Sequence, residues 1–263
     1  MAAVAQLSAM KKPILTRWRL DRELVERGLC PSRQIAQRAI LAGLVRVAGR
    51  LVSKPGASVR PGEEIVLAQA QKYVSRGGWK LEHGLGHFQL DVRGAVAIDI
   101  GASTGGFTDC LLQAGAARVY AVDVGRGQLA WKLRQDPRVT VMERTNARNL
   151  SRQLFGPSFA GADLVVADCS FISLTKILPP AVALLKAFGK IVALVKPQFE
   201  AGKAEARRGA GVIIDPAIHR RVLREIKDFV SAHLPMVWGG EVESPLPGPA
   251  GNKEFLILLE KKT

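Results

Sequence analysis

Cysteine is scarce in this chain. The three residues present, at positions 30, 110 and 169, stand 80 and 59 apart, a spacing that fits neither a disulfide framework nor paired metal ligands. A reducing, cytoplasmic setting with no metal is therefore expected. Long apolar runs are missing too: the longest stretch, 177–195, is broken by Pro179, Pro180, Lys186 and Lys190, short of the roughly 20 apolar residues that cross a bilayer. No membrane partner is expected. The first ten residues have neither the positive start nor the apolar core of a signal peptide, so residues 1–16 read as a flexible tail rather than a leader. What remains is an ordinary globular composition, 48% hydrophobic and 23% charged, over 263 residues, enough for two domains.

Acidic charge is thin at the front. Residues 1–80 carry fifteen Lys or Arg against five Asp or Glu, whereas 81–263 carry twenty-three against eighteen, so two thirds of the net charge of +15 sits in under a third of the chain. That asymmetry describes a polyanion-binding module joined to a more neutral body, with nucleic acid the leading partner and an acidic membrane surface the rival.

The front module is legible from about Arg17. Leu20, Leu24 and Val25 recur at helical spacing as far as Gly28, and a second helix is predicted to start at Ser32 and stop at Gly43. Val45 and Val47 alternate with polar or small neighbours, and Ile65–Leu67 forms another short strand after the Pro61-Gly62 turn. Arg33, Arg38, Arg46, Arg50 and Lys54 would make one basic face with reach to backbone phosphates. The RLD opening, GLCPSRQIAQRAI and the KPG turn resemble the S4-like RNA-binding domain found in several rRNA-modifying enzymes. That resemblance implies recognition of folded RNA by shape and phosphates, and Arg17, Arg19 and Arg76 join the candidate RNA contacts.

Beyond Val92 the pattern becomes AVAIDI, ARVYAVD, ADLVVAD and KIVALVK alternating with helical runs, with a final apolar run at 255–259. This is the pattern of an α/β fold with a doubly wound, mostly parallel Rossmann-like sheet, whose strands deliver charged ends to one crevice. The expected boundaries are 17–67 for the front domain, 68–92 for an interdomain linker that also carries the candidate catalytic lysine, and 93–263 for the body. The first strand runs through Asp99 into Gly101, Ala102, Ser103, Thr104, Gly105, Gly106 and Phe107, a loop that lets backbone approach a ligand but departs from the G-x-G-x-x-G of dinucleotide enzymes. Asp123 follows Gly101 by 22 residues, close to the roughly 20 expected of a carboxylate that receives ribose hydroxyls. A nucleoside cofactor without a pyrophosphate, S-adenosylmethionine, suits this loop better than NAD. Asn146 is placed either to meet the adenine edge or to cap a helix, and Asp99 either to touch the cofactor or to order the loop.

SRGGWKL (75–81), DIGASTGGFTDCLL (99–112), DCSFISL (168–174), KPQFE (196–200) and GNKEF (251–255) occur in that order, and with the front module they resemble the TlyA family within the FtsJ-like RNA ribose 2'-O-methyltransferases. The resemblance runs from about Arg17 to Leu259. It implies a catalytic tetrad of Lys80, Asp168, Lys196 and Glu254, with Asp168 also at the cofactor, and rRNA in ribosomal subunits, at cytidine, as substrate. A ribose 2'-hydroxyl must lose its proton as it attacks the methyl. Lys196 is the candidate acceptor, because a neighbouring cation and partial burial favour its neutral form, while Asp168 and Glu254 orient the two ammonium groups.

Competing readings attach to particular residues. Glu243 is the rival of Glu254. Cys169 beside Asp168 invites a cysteine-addition route to a methylated base, although no Pro-Cys setting surrounds it. His83 and His87 have metal-ligand spacing on a helix that Gly84 and Gly86 should weaken, and no third ligand is near. The basic stretch 207–221 with His219 is either a mobile lid or a solvated connection. A hemolysin label also travels with the family, yet the sequence offers no membrane-active helix.

Overall fold

The computed structural model describes residues 17–68, 72–202, 204–205 and 209–262. The flexible tail expected over 1–16 lies outside the described residues. The chain divides into two compact units, Met1–Gln71 and Lys72–Thr263.

In the first unit a short strand β1 (Trp18–Arg19) leads into helices α1 (Leu20–Glu26) and α2 (Arg33–Leu41), followed by strands β2 (Val45–Val47), β3 (Arg50–Leu51), β4 (Ser58–Val59) and β5 (Ile65–Leu67). Leu20 and Leu24, one turn apart, are fully buried with Ala36, Ile40, Val45 and Val59. The Ser32 hydroxyl accepts a hydrogen bond from the Ile35 N–H at 3.4 Å and caps α2. β2 pairs antiparallel with both β3 and β5, and β1 with β4. The two-residue strands are too short to display an alternation, so only β2 and β5 are visible in the sequence.

The second unit opens with helix α3 (Gly77–His87), not with a linker. The segment 68–92 was expected to connect domains, but Leu81 and Leu85 of α3 are buried in a core shared with the sheet. Gly84 and Gly86 do not break this helix. A Cβ at Gly84 would lie 3.1 Å from Leu256, so the glycine there lets helix and sheet approach closely. After α3 come β6 (Val96–Ile100), α4 (Gly106–Gln113), β7 (Arg118–Val122), α5 (Trp131–Arg134), β8 (Val139–Met142), β9 (Ala162–Ala167), α6 (Leu178–Leu184), β10 (Leu185–Val195), α7 (Pro197–Glu200), α8 (Pro216–His233), β11 (Met236–Glu243) and β12 (Phe255–Lys261).

The seven strands are ordered β11-β12-β10-β9-β6-β7-β8, parallel from β10 to β8, with β12 antiparallel to both its neighbours. Chain order reverses between β6 and β9, and the crevice outside their carboxyl ends is the switch point at which such sheets bind ligands. Each face carries its own apolar layer: α6 and α8 cover one through Leu178, Val182, Val222 and Ile226, and α3 and α4 the other through Leu81, Phe107 and Leu111. Strand β11 was not expected. Its Gly239-Gly240 pair reads as a breaker, yet it sits at a register shift in the β11–β12 ladder, where a Cβ at Gly239 would meet Leu258 at 2.9 Å.

The stretch 207–221 is neither wholly lid nor wholly connection. From Pro216 it belongs to α8, where the His219 ring is buried and its Nε2 lies 2.9 Å from the Ile213 carbonyl oxygen; residues 206–208 lie outside the described residues. If α3 is part of the catalytic unit's core, Leu81→Ala should cost about 2–5 kcal/mol, the range for emptying a buried leucine site. Urea unfolding of the full chain checks this; a change within 0.5 kcal/mol or so, typical of surface positions, would return α3 to the status of a linker.

Candidate active site

The carboxyl edge of the sheet gathers the charged residues because each strand ends where its apolar run ends. Asp168 follows β9, Lys196 follows β10, and Glu254 precedes β12, one step beyond the paired positions Val195 and Phe255. Neighbouring strands lie about 4.8 Å apart, so this register alone brings three of the four side chains to one place. Lys80 arrives from α3.

The four form two ion pairs. Lys80 Nζ donates to Glu254 Oε2, and both side chains are buried, 8% and 1% exposed. Gly248 closes over the pair, since a Cβ there would lie 2.5 Å from Glu254 Oε1. Lys196 Nζ lies 2.6 Å from Asp168 Oδ1, a charge contact off the line of a hydrogen bond, and 3.0 Å from the Ser170 hydroxyl. This second pair is more open, 11% and 24% exposed. Glu243, the rival of Glu254, is exposed on β11 and pairs with Lys253 at 3.0 Å.

The glycine loop is built for close packing on both sides. Gly101 has φ +83, and a Cβ there would lie 2.5 Å from the Asp168 carbonyl oxygen, so only glycine fits between the first and fourth strand ends. Ser103 and Thr104 are exposed at the tip. Gly105, Gly106 and Phe107, expected at the cofactor, also pack closely within the fold. A Cβ at Gly105 would meet Leu133 at 2.2 Å, one at Gly106 would meet Ser75 at the same distance, and the Phe107 ring is 3% exposed in the core beneath α3. The sequence signal, three glycines in a turn, is the same for both uses.

Asp123 joins this loop to the next. Its Oδ2 accepts from the Ser103 N–H at 2.8 Å and its Oδ1 from the Gly125 N–H at 2.7 Å. A carboxylate has about four acceptor sites, so capacity remains for two ribose hydroxyls, and the residues present fit a nucleoside there. Asn146 is exposed, and its Oδ1 accepts from the Arg148 N–H at 3.0 Å, capping the short 3-10 turn that follows. Asp99 is 1% exposed and accepts from the Thr108 hydroxyl at 2.7 Å, so it helps to order the start of α4. Burial pushes its carboxyl up to about 7, against the Thr108 hydrogen bond and with the Asp168 charge adding to the rise. Burial likewise pushes the Cys169 thiol up to about 12, leaving it a poor source of thiolate and weakening the base-methylating route.

The expected RNA contacts fall in two places. In the first unit Arg17, Arg19, Arg33, Arg38, Arg46, Arg50 and Lys54 are all exposed. Asp21, fully buried, organises two of them: its carboxylate accepts from Arg19 at 3.0 Å, from Arg33 at 2.9 Å and from the Gln37 amide at 2.9 Å, and the Arg19 bond holds its pKa well below the usual range. Arg46 Nη1 donates to the Gly49 carbonyl oxygen at 3.0 Å. In the second unit Arg76 is exposed on the approach to α3 and donates to the Pro247 carbonyl oxygen at 2.7 Å. No group of three or more potential metal ligands occurs among the described residues, His83 and His87 included. Nor is any helix among them long and apolar enough to cross a membrane. Sequence reasoning did not single out Asp21, Thr108, Ser170 or Glu200, because each acts through a partner distant in the chain or hidden by the fold.

A mostly parallel sheet with an antiparallel strand inserted beside its last parallel one, a glycine loop at the switch point and a carboxylate at the end of the next strand define an S-adenosylmethionine-dependent methyltransferase. Residues 73–261 match the FtsJ-like methyltransferase model and 18–65 the S4 domain. The chain is 46% identical over 251 residues, 94% of its own length and 91% of the relative's, to the 16S/23S rRNA (cytidine-2'-O)-methyltransferase TlyA of Mycobacterium tuberculosis. It is 40% identical, over 90% of the chain and 98% of the relative, to Hemolysin A of Brachyspira hyodysenteriae. A solved chain from Streptococcus thermophilus that carries a hemolysin name superposes with a TM-score of 0.70 at 44% identity, covering 94% of this chain and 90% of that one. The chain belongs to the TlyA family of FtsJ-like methyltransferases with an S4 domain.

Two outcomes follow from the buried charges. Lys80→Met should strand the Glu254 carboxylate and lower stability by about 3–5 kcal/mol, whereas Lys80→Met with Glu254→Leu should recover most of that loss in the same denaturation assay. For Asp99 the folded pKa of about 7 lies above the ordinary 3.8, so the folded state holds an extra proton between those values. Its contribution is fully present below about pH 4 and is lost as pH rises through about 7. Asp99→Asn should flatten that limb of a stability-versus-pH profile; an unchanged limb would assign it to other groups.

Proposed function

We propose that this chain is a ribose 2'-O-methyltransferase of ribosomal RNA, with cytidine as the target nucleotide and 16S or 23S rRNA, within ribosomal subunits, as the substrate. Its place of action is then the cytoplasm. The observation that carries the reading is the pairing of Lys80 with Glu254 and of Lys196 with Asp168 at the carboxyl edge beside the glycine loop. The family to which the chain belongs and the rRNA substrate named for its M. tuberculosis relative support the substrate class.

S-adenosylmethionine supplies a methyl on a positively charged sulfur, electrophilic without further activation. Asp123, with the exposed Ser103 and Thr104, would hold the nucleoside end, and Gly101 lets this loop pack against the Asp168 strand end. The chain's remaining task is to present a ribose 2'-oxygen in line and accept its proton. Lys196 is the proton acceptor: it sits at the open pair, within reach of the Ser170 hydroxyl, and Asp168 fixes its Nζ. Lys80, held by Glu254 in the closed pair, places a second positive charge that stabilises the developing oxyanion. Positioning supplies much of the remaining rate. The basic residues of the first unit and Arg76 bind phosphates, so they deliver RNA without choosing the nucleotide.

Labelled cofactor, the protein and separated ribosomal subunits, followed by alkaline digestion, test the reading. A methylated 2'-oxygen cannot attack the adjacent phosphate, so label should survive in an uncleaved dinucleotide; label in mononucleotides would indicate base methylation and overturn it. Lys196→Ala should reduce transfer to a small residual rate while cofactor affinity stays within about threefold, ~0.7 kcal/mol.

A further inference from the structure

The tetrad leaves one carboxylate of the same edge without a task. Glu200 ends α7, four residues after Lys196, and is half-buried. Its Oε2 accepts from the Ser173 hydroxyl at 2.6 Å and its Oε1 from the Leu174 N–H at 2.8 Å. Both partners belong to the other catalytic segment, the one that leaves β9 through Asp168 and turns at Ser173 into the short 3-10 helix Leu174–Lys176. Burial pushes the Glu200 carboxyl above its usual range, while the two hydrogen bonds act in the opposite sense.

The parallel ladder between β9 and β10 ends at Ala167 and Ala193, so it does not fix 168–174 against 196–200. Three cross-links do. Lys196 reaches Asp168 and Ser170, the Phe171 and Phe199 rings lie 4.9 Å apart, and Glu200 binds Ser173 and Leu174. The first depends on a long, flexible side chain. The second is a contact of Phe171, a residue 89% exposed with φ +64, a left-handed backbone that its surroundings must hold. Only the third grips the backbone of the opposing segment through a hydrogen bond.

We propose that Glu200 is a positioning residue for methyl transfer, fastening the segment that carries Asp168 and Ser170 to the segment that carries Lys196. This rests on the methyl-transfer reading above and deepens it. Without the clamp, Asp168 and Ser170 drift relative to the Lys196 ammonium, and the proton acceptor loses its aim although every tetrad side chain is still present. Misplacement on the scale of an ångström costs on the order of 100-fold in rate. The requirement is for two hydrogen bonds at a set reach, not for charge. Glutamine meets it: its amide oxygen accepts from the Leu174 N–H and its NH2 donates to the Ser173 oxygen. Aspartate, one methylene shorter, does not.

The full-length chain carrying Glu200→Gln, Glu200→Asp or Glu200→Ala tests this with steady-state methyl transfer to ribosomal subunits, calorimetry of S-adenosylhomocysteine binding, and amide hydrogen exchange at Leu174. Alanine and aspartate should lower kcat about 10- to 100-fold, with cofactor-product affinity within about threefold, and Leu174 exchange should quicken. Glutamine should stay within about threefold of the parent in all three readouts. Should the alanine chain fail to fold, the aspartate and glutamine pair decides. Full kcat in the aspartate chain, or equal losses with glutamine and aspartate, would overturn the proposal. The exchange measurement needs no turnover, so an unprotected Leu174 in the parent refutes the clamp, while a parent that methylates no ribose refutes the functional reading instead.

Discussion

An ammonium and a carboxylate taken out of water together are tolerated only while they stay together, since either one alone leaves a buried charge whose desolvation is uncompensated. The Lys80–Glu254 pair imposes that constraint on the catalytic unit. It ties α3, at the start of the unit, to the approach of β12, near its end, across 174 positions of chain. The glycine at 248 and the close seat of Gly84 on Leu256 are consequences, because the loop and the helix must come near enough for the two groups to meet. With this pair closed, the neighbouring Lys196–Asp168 pair can remain open to a substrate.

The two pairs divide the labour that one pair could not perform. A fully buried lysine cannot exchange its proton with a substrate, and a fully exposed one is held too loosely to aim at a hydroxyl. The sheet resolves this by geometry: Lys196 and Asp168 leave the adjacent parallel strands β10 and β9, whereas Lys80 and Glu254 are brought in from the helix layer and the antiparallel strand. Asp123 and Gly101 sit at the carboxyl ends of β7 and β6, on the same edge of the sheet as Asp168 and Lys196. The first unit uses a related device, a buried Asp21 that gathers Arg19 and Arg33 from different elements.

Much of this is legible in the sequence because strands announce themselves by apolar runs and their charged ends follow. The five strands ending near Asp99, Asp123, Asp168, Lys196 and beyond Phe255 were readable on that basis, as were both helices of the first unit. Illegible features share a physical cause. Strand β11 lies under a glycine pair whose bulge needs a partner strand to make sense, and α3 contains glycines that only the proximity of Leu256 explains. Gly105, Gly106 and Phe107 read in one dimension as candidate ligand contacts, and their packing against Leu133, Ser75 and the core shows only in three. Asn146 offered two uses of one carboxamide, and the local cap is the one present. Glu200 stands inside a visible motif, but its partners lie 26 and 27 positions away.

The central claim is that Lys196 and Asp168 act as one unit in accepting the ribose proton. A double-variant cycle on kcat tests it most directly, comparing Lys196→Ala, Asp168→Ala and the two combined in transfer to ribosomal subunits. If Asp168 acts only by aiming Lys196, the combined chain turns over no more slowly than Lys196→Ala alone, the non-additivity expected of groups that work together. A combined loss equal to the product of the two separate losses would contradict the account.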